Sequence, residues 1–302
     1  MTSLVRPIDW PSGATSHVTD LGGPVHYLDF GGPSGAPVVL AVHGLGGSAL
    51  NWGLLAPLLT DDCRVIAVDL FGHGRSGLPA GRGGLAADLG MLHRLLTEVV
   101  GESAVLLGHS MGGVLALRYT AEHPDAVTRL AVLSPPTPGT TGRTDRALLA
   151  RRTFLRLPGV AGVVRRKLAG MTAEQVVTQQ LRRATPHADR LPADAIAASV
   201  AETWLRQDQP DANRAQKVQW AGIVDTMGLL GHVDAWRETL ARIAVPTLWL
   251  HGGDDPMADP ADAAALAATR PDWQFRLRQG VGHLLAMEDP AWTATQLRGW
   301  SS

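Results

Sequence analysis

The sequence predicts an α/β protein: a doubly wound, mostly parallel sheet with a helical insertion near its middle. Three observations predict it. Short runs such as Val38–Val42 and Val65–Val68 are apolar without alternation, as expected of strands covered on both faces. These runs alternate with stretches of helical period, which implies parallel strands joined by crossover helices. Residues 137–237 break the alternation, with helical patterns, few strand-like runs and prolines at 158, 186, 192 and 210. The expected organisation is a core made of residues 1–136 and 238–302, and a cap or lid made of residues 137–237.

The elements follow in order. Residues 1–16 read as a poorly ordered lead-in. Val18–Leu21 and Val25–Phe30 are short strands about the turn Gly22-Gly23-Pro24. After the strand Val38–Val42, a helix is expected near Ala49–Leu59 and a further strand over Arg64–Leu70. Leu85, Leu89, Leu92, Leu96 and Val99 recur with helical spacing. Ala104–Leu107 is another buried strand, and Val114, Leu115, Leu117 and Ala121 give a helix starting from Met111. Leu130–Leu133, Val245–His251 and Gln274–Leu277 complete the strands. Helices fit near Pro260–Ala268 and from Pro290 to about Arg298.

Composition excludes several classes of function. A net charge of −1 gives no global attraction to nucleic acid. The single cysteine, Cys63, rules out an intramolecular disulfide and a cysteine-based zinc site. No two of the eleven histidines lie at the i, i+4 spacing of a helical zinc pair. No apolar run approaches the ~18 residues of a membrane span, and Pro7 and Pro11 interrupt the first residues. The expectation is a cytoplasmic protein with no nucleic-acid partner and no stable membrane association. Its oligomeric state is left open.

The chemistry is concentrated at Gly108-His109-Ser110-Met111-Gly112, a G-x-S-x-G sequence between a strand and a helix. A serine there sits on a tight, strained turn that presents its hydroxyl, with glycines where a Cβ would strike neighbouring backbone. The competing reading is a helix N-cap serine, worth about 1 kcal/mol. A serine hydroxyl needs an adjacent base held by a third group, so an acid and then a histidine should follow at later strand ends. Gly252-Gly253-Asp254-Asp255-Pro256 and Gly280-Val281-Gly282-His283 supply them in that order.

Together these motifs resemble the α/β-hydrolase superfamily, in its serine-nucleophile esterase, lipase and cofactor-free haloperoxidase-like branch. Matching pieces are His43-Gly44-Leu45-Gly46-Gly47-Ser48, Asp69-Leu70-Phe71-Gly72-His73-Gly74-Arg75-Ser76, the serine turn, Gly252-x-x-Asp255 and Gly282-His283. The resemblance implies Ser110 as nucleophile, His283 as general acid and base, and Asp255 as its orienting partner, with Asp254 the competing acid. Some relatives carry the acid after the sixth strand, where this chain reads Ser134-Pro135-Pro136. The backbone N–H groups of Leu45 and Met111 would form the oxyanion hole. No cofactor and no metal are implied. His43, His73, His109 and Asp69 read as residues that order loops.

The implied activity is hydrolysis of a carboxylic ester or related small acyl compound. Carbon–carbon bond hydrolysis, lactone hydrolysis, acyl transfer and perhydrolysis are alternatives on the same triad, and a receptor-like ligand-binding role is a remote one. Epoxide hydrolases and haloalkane dehalogenases place an aspartate where Ser110 stands. A dinucleotide site is the rival from another class: Gly44-Leu45-Gly46 follows a strand, and Asp69 ends the next one. Trp204, Trp220, Met227 and Leu230 are candidates for lining an acyl pocket, with cap packing the equal alternative. Arg143, Arg146, Arg151, Arg152, Arg156, Arg165, Arg166 and Lys167 make the start of the insertion basic, with Phe154, Leu155, Leu157, Val160, Val163 and Val164 among them. A solvated helix face is the preferred reading of that stretch, and attraction of an anionic substrate or a membrane surface is the alternative.

Overall fold

Eight strands form one sheet in the order β1-β2-β4-β3-β5-β6-β7-β8. The computed structural model describes residues 13–139 and 145–301. The strands are β1 (Thr15–Asp20), β2 (Pro24–Asp29), β3 (Val38–Val42), β4 (Arg64–Val68), β5 (Ala104–His109), β6 (Val127–Leu133), β7 (Thr247–Gly252) and β8 (Gln274–Arg278). β1 pairs antiparallel with β2, and β2 with β4; every pairing from β4 to β8 is parallel. The mostly parallel α/β architecture is therefore as expected. Most of the lead-in expected at residues 1–16 lies outside the described residues, and Thr15 and Ser16 already belong to β1.

Alternate side chains of each parallel strand go to opposite faces of the sheet. Val38, Leu40, Val42, Ile66, Val68, Leu106, Leu130 and Val132 enter one buried cluster. Val39, Ala41, Val65, Ala67, Leu107, Ala131 and Leu133 enter the other. Both faces are apolar because both are covered, which is why these strands read as continuous hydrophobic runs. The first cluster is closed by α1 (Leu85–Arg94), α2 (Met111–Glu122), α8 (Val233–Ala241) and α9 (Pro260–Ala267). The second is closed by α11 (Pro290–Ser301) and by short turns at residues 49–58.

Two elements differ from expectation. In place of a helix over Ala49–Leu59 there are two 3₁₀ turns, Ala49–Trp52 and Ala56–Leu58. Ser48 and Asn51 form a reciprocal cap at the start of the first turn, and Pro57 lacks the N–H that a continuous helix needs. α1 continues as a wider π-helical turn, Leu95–Val100. It closes on Gly101 at φ +75°, whose N–H donates to the Leu96 carbonyl over 2.9 Å.

Between β6 and β7 run α3 (Arg146–Arg156), α4 (Val160–Ala169), α5 (Ala173–Ala184), α6 (Ala193–Gln207), α7 (Ala212–Gly231) and α8. Trp236 and Leu240 of α8 belong to the main core, so the expected division at 237/238 falls inside a helix that packs on the sheet. Among the described residues, no helix is long and apolar enough to cross a membrane.

Asp88 of α1 is buried and accepts the Phe71 N–H at 3.2 Å. Burial pushes its carboxyl up to about 7; the hydrogen bond opposes this and the nearby Asp225 adds to it. Such a group binds more protons folded than unfolded between about pH 4 and pH 7. Its effect on stability therefore turns unfavourable as pH rises through that window, by up to roughly 4 kcal/mol. Asp88→Asn keeps an acceptor for Phe71 and removes the titration. We expect its gain in Tm over the parent to grow by about 5 °C between pH 5 and pH 8 in thermal denaturation. An equal shift at both pH values would contradict this account.

Candidate active site

The site lies beyond the carboxyl ends of the central strands, where β3 is flanked by β4 on one side and β5 on the other. This reversal of strand order is where open α/β sheets form their clefts. β5 ends at His109, and Ser110 adopts φ +54° and ψ −122°, a strained geometry for a residue with a Cβ. Its N–H donates to the Leu133 carbonyl over 2.9 Å, and its carbonyl accepts from Gly113 and Val114 at 2.9 and 3.2 Å. A Cβ on Gly108 would lie 2.7 Å from the Cα of Gly113, and one on Gly112 would strike the carbonyls of Val42 and His43. The turn can be this tight only with glycine at both places. The Ser110 side chain makes no cap hydrogen bond to α2, so the N-cap reading does not describe it.

Instead, the Ser110 hydroxyl lies 2.8 Å from Nε2 of His283, which sits in the loop after β8. The Nδ1–H of His283 donates to Oδ2 of Asp255 over 2.7 Å, in the turn after β7. The other oxygen of Asp255 accepts the N–H groups of Met257 and Ala258 at 2.8 and 3.0 Å. Burial alone would raise this carboxyl. The hydrogen bond and charge of His283, helped by those two N–H groups, hold it below its ordinary value, so it is ionised at neutral pH. Asp254 points away: its carboxylate is exposed and lies 2.9 Å from Nε2 of His187. The structure thus brings Ser110, His283 and Asp255 into one hydrogen-bonded line and leaves Asp254 outside it.

The His43 loop packs directly on this line, since a Cβ on Gly44 would come within 2.8 Å of the Ser110 Cβ. Met111 is buried at the start of α2, and Leu45 is 41% exposed. The Met111 N–H is an orphan donor at a helix N-terminus. Among the described residues, neither it nor the Leu45 N–H has an acceptor.

Four further buried histidines, His43, His73, His109 and His251, are held as neutral rings. Burial lowers the pKa of His43, His73 and His251, and that of His109 to about 3. His43 donates from Nδ1 to the Gly44 carbonyl over 2.6 Å and accepts the Leu70 N–H at Nε2 over 3.0 Å, joining two loops. His109 donates from Nε2 to the backbone carbonyl of His283 over 2.8 Å. Asp69 is fully buried and accepts the N–H groups of Ala49 and Arg75 at 2.6 and 2.8 Å and Nδ1–H of His26 at 2.7 Å. Its oxygens are spent on the loop and leave nothing for a ribose, which removes the support for a dinucleotide site.

Sequence reading missed the residues that brace the His283 loop. Glu288 accepts the N–H groups of Gly282 and Leu284, either side of His283, at 2.8 and 2.9 Å. Thr185, just past α5, donates its hydroxyl to the same carboxylate over 2.7 Å, and the Ala184 carbonyl accepts the His283 N–H at 2.9 Å. Glu288 lies in the short helix α10 (Leu285–Glu288) and carries no sequence signal that separates it from a surface acid.

Of the predicted acyl-pocket residues, Trp204 lies in α6 and Trp220, Met227 and Leu230 in α7. Leu230 is packed in the main core. The Trp220 indole N–H donates to the Leu155 carbonyl over 3.2 Å, tying α7 to α3. Trp204 is 48% exposed and Met227 half-buried. A small pocket next to the site is lined by Asn51, Trp52, His109, Leu284, Ala286 and Met287.

A sequence profile of the alpha/beta hydrolase fold family matches residues 37–290. The chain belongs to that family. As an α/β hydrolase it has relatives of several specificities. It is 28% identical to epoxide hydrolase A of Mycobacterium tuberculosis, covering 86% of this chain and 88% of that one. It is 24% identical to N-formylmaleamate deformylase of Pseudomonas putida, covering 87% of both. Among solved structures, naproxen esterase (carboxylesterase NP) of Bacillus subtilis superposes with a TM-score of 0.70 at 20% identity, covering 97% of this chain and 93% of the other. The last likeness speaks for the fold alone.

Proposed function

We propose that this α/β hydrolase cleaves a carboxylic ester or related small acyl substrate through an acyl-enzyme on Ser110. The observation that carries the proposal is the unbroken line from Ser110 Oγ through the His283 ring to Asp255, with contacts of 2.8 and 2.7 Å. Because Nδ1–H is donated to an ionised carboxylate, Nε2 is the free lone pair facing the hydroxyl. His283 removes the Ser110 proton as Oγ attacks the carbonyl carbon. The N–H groups of Leu45 and Met111 receive the oxyanion; one such donor is worth about 3 kcal/mol. His283 then protonates the leaving alcohol and activates the water that releases the acid. Every step uses groups of the chain and water.

A serine at the nucleophile position favours acyl chemistry over epoxide opening, despite the likeness to epoxide hydrolase A. In this reading the helices α3 to α7 act as the cap, and Ala184 and Thr185 carry its contact to the His283 loop. The setting we propose is the cytoplasm, where a lone thiol such as Cys63 stays reduced. The test is a panel of p-nitrophenyl esters of increasing acyl length. Multiple turnovers on at least one member are expected. Binding or a single stoichiometric burst across the panel would favour a receptor-like role instead.

A further inference from the structure

The hairpin α3–α4 has a surface that the hydrolytic reading does not use. From Arg146 to Ala173 the chain carries seven Lys and Arg residues and no Asp or Glu, in a protein of net charge −1. Arg146, Arg151, Arg156, Arg166 and Lys167 are exposed. Phe154, Leu157 and Val163 are 58%, 49% and 59% exposed. These are three of the nine strongly exposed large apolar side chains among the described residues, gathered within ten positions about the Leu157-Pro158-Gly159 turn. α3 has no fully buried residue. Its inner side is occupied by α7: Leu149 packs where a Cβ on Gly231 would sit, and Arg152 where one on Gly228 would.

We propose that this hairpin is a docking surface for an anionic lipid bilayer. Phe154, Leu157 and Val163 would enter the boundary between headgroups and acyl chains, with the surrounding cations over the negative headgroups. A solvated helix face, the reading preferred from sequence alone, has no use for three apolar side chains at one exposed turn. A second copy of the chain is disfavoured because a two-fold contact through this patch would set its five exposed cations against five like charges. A nucleic acid would engage the cations and leave the apolar turn unpaired. The proposal stands independently of the ester-hydrolase reading.

Sedimentation of the full chain with phosphatidylcholine vesicles, with and without about 30% phosphatidylglycerol, tests it. We expect binding to the anionic vesicles at least about ten-fold above the neutral ones in about 50 mM salt, weakening in about 300 mM. Phe154→Asp with Leu157→Asp should lose about ten-fold, as should Arg151→Gln with Arg156→Gln, Arg166→Gln and Lys167→Gln. Should a variant fold poorly, Phe154→Cys in a Cys63→Ser chain, labelled with an environment-sensitive fluorophore, should shift to the blue on anionic vesicles. The proposal is overturned by equal binding to both vesicles, by full binding of the Phe154/Leu157 variant, or by an unshifted probe. It is also overturned by a dimer that Phe154→Asp dissociates, or by duplex DNA binding tighter than the vesicles.

Discussion

Ser110→Ala lowers kcat by on the order of 10⁶-fold on any ester the protein turns over, with circular dichroism unchanged. The size follows from the arrangement. Without Oγ the His283–Asp255 pair has no nucleophile to activate, and only the oxyanion donors and substrate binding remain to act on water. The fold should tolerate the change because alanine keeps the Cβ that already accepts φ +54°, and the Ser110 hydroxyl makes no hydrogen bond to its own helix. Ground-state affinity should move little, since Oγ contributes chiefly to the reacting bond. A variant retaining more than about a hundredth of parental kcat would show that another group performs the attack.

Asp255→Asn should lower kcat by about 10⁴-fold, and Asp254→Asn by no more than about three-fold. The asparagine oxygen can still accept from Met257 and Ala258, so the turn survives. Its NH₂ then faces Nδ1 of His283 and calls for the opposite tautomer, which puts the proton on Nε2 and removes the base. Asp254 has no part in that line, because its carboxylate faces His187 at the surface. Steady-state kinetics of the two variants side by side decide the matter. If Asp254→Asn carries the large loss, the hydrogen-bonded line is not the working one.

The parallel strands were legible because burial on both faces leaves no polar alternation, and the two core clusters divide each strand residue by residue. That Asp255 and His283 come together beside Ser110 was legible because a serine turn of this kind calls for partners at later strand ends. The expected helix over Ala49–Leu59 failed on local chemistry: the Ser48–Asn51 cap and Pro57 favour two tight turns. Other features depend on contacts between distant segments, which periodicity does not encode. Thr185 and Glu288 meet across 103 positions, and nothing in either neighbourhood announces the partner. Leu230 matches an acyl-pocket residue in composition, yet the helix turns it into the core. The sequence likewise showed Phe154, Leu157 and Val163 among cations but not that α7 takes up Leu149 and Arg152 of α3 while those three stay exposed.

The central claim is that Ser110 is an activated nucleophile, and an organophosphorus ester such as a fluorophosphonate tests it most directly. Such reagents phosphonylate a serine whose proton is taken by a neighbouring base. The account predicts one equivalent of label per chain, located by peptide mass analysis on Ser110, and little label on the His283→Ala variant. Stoichiometric labelling at another residue, or full ester turnover by a chain that leaves Ser110 unlabelled, would contradict it.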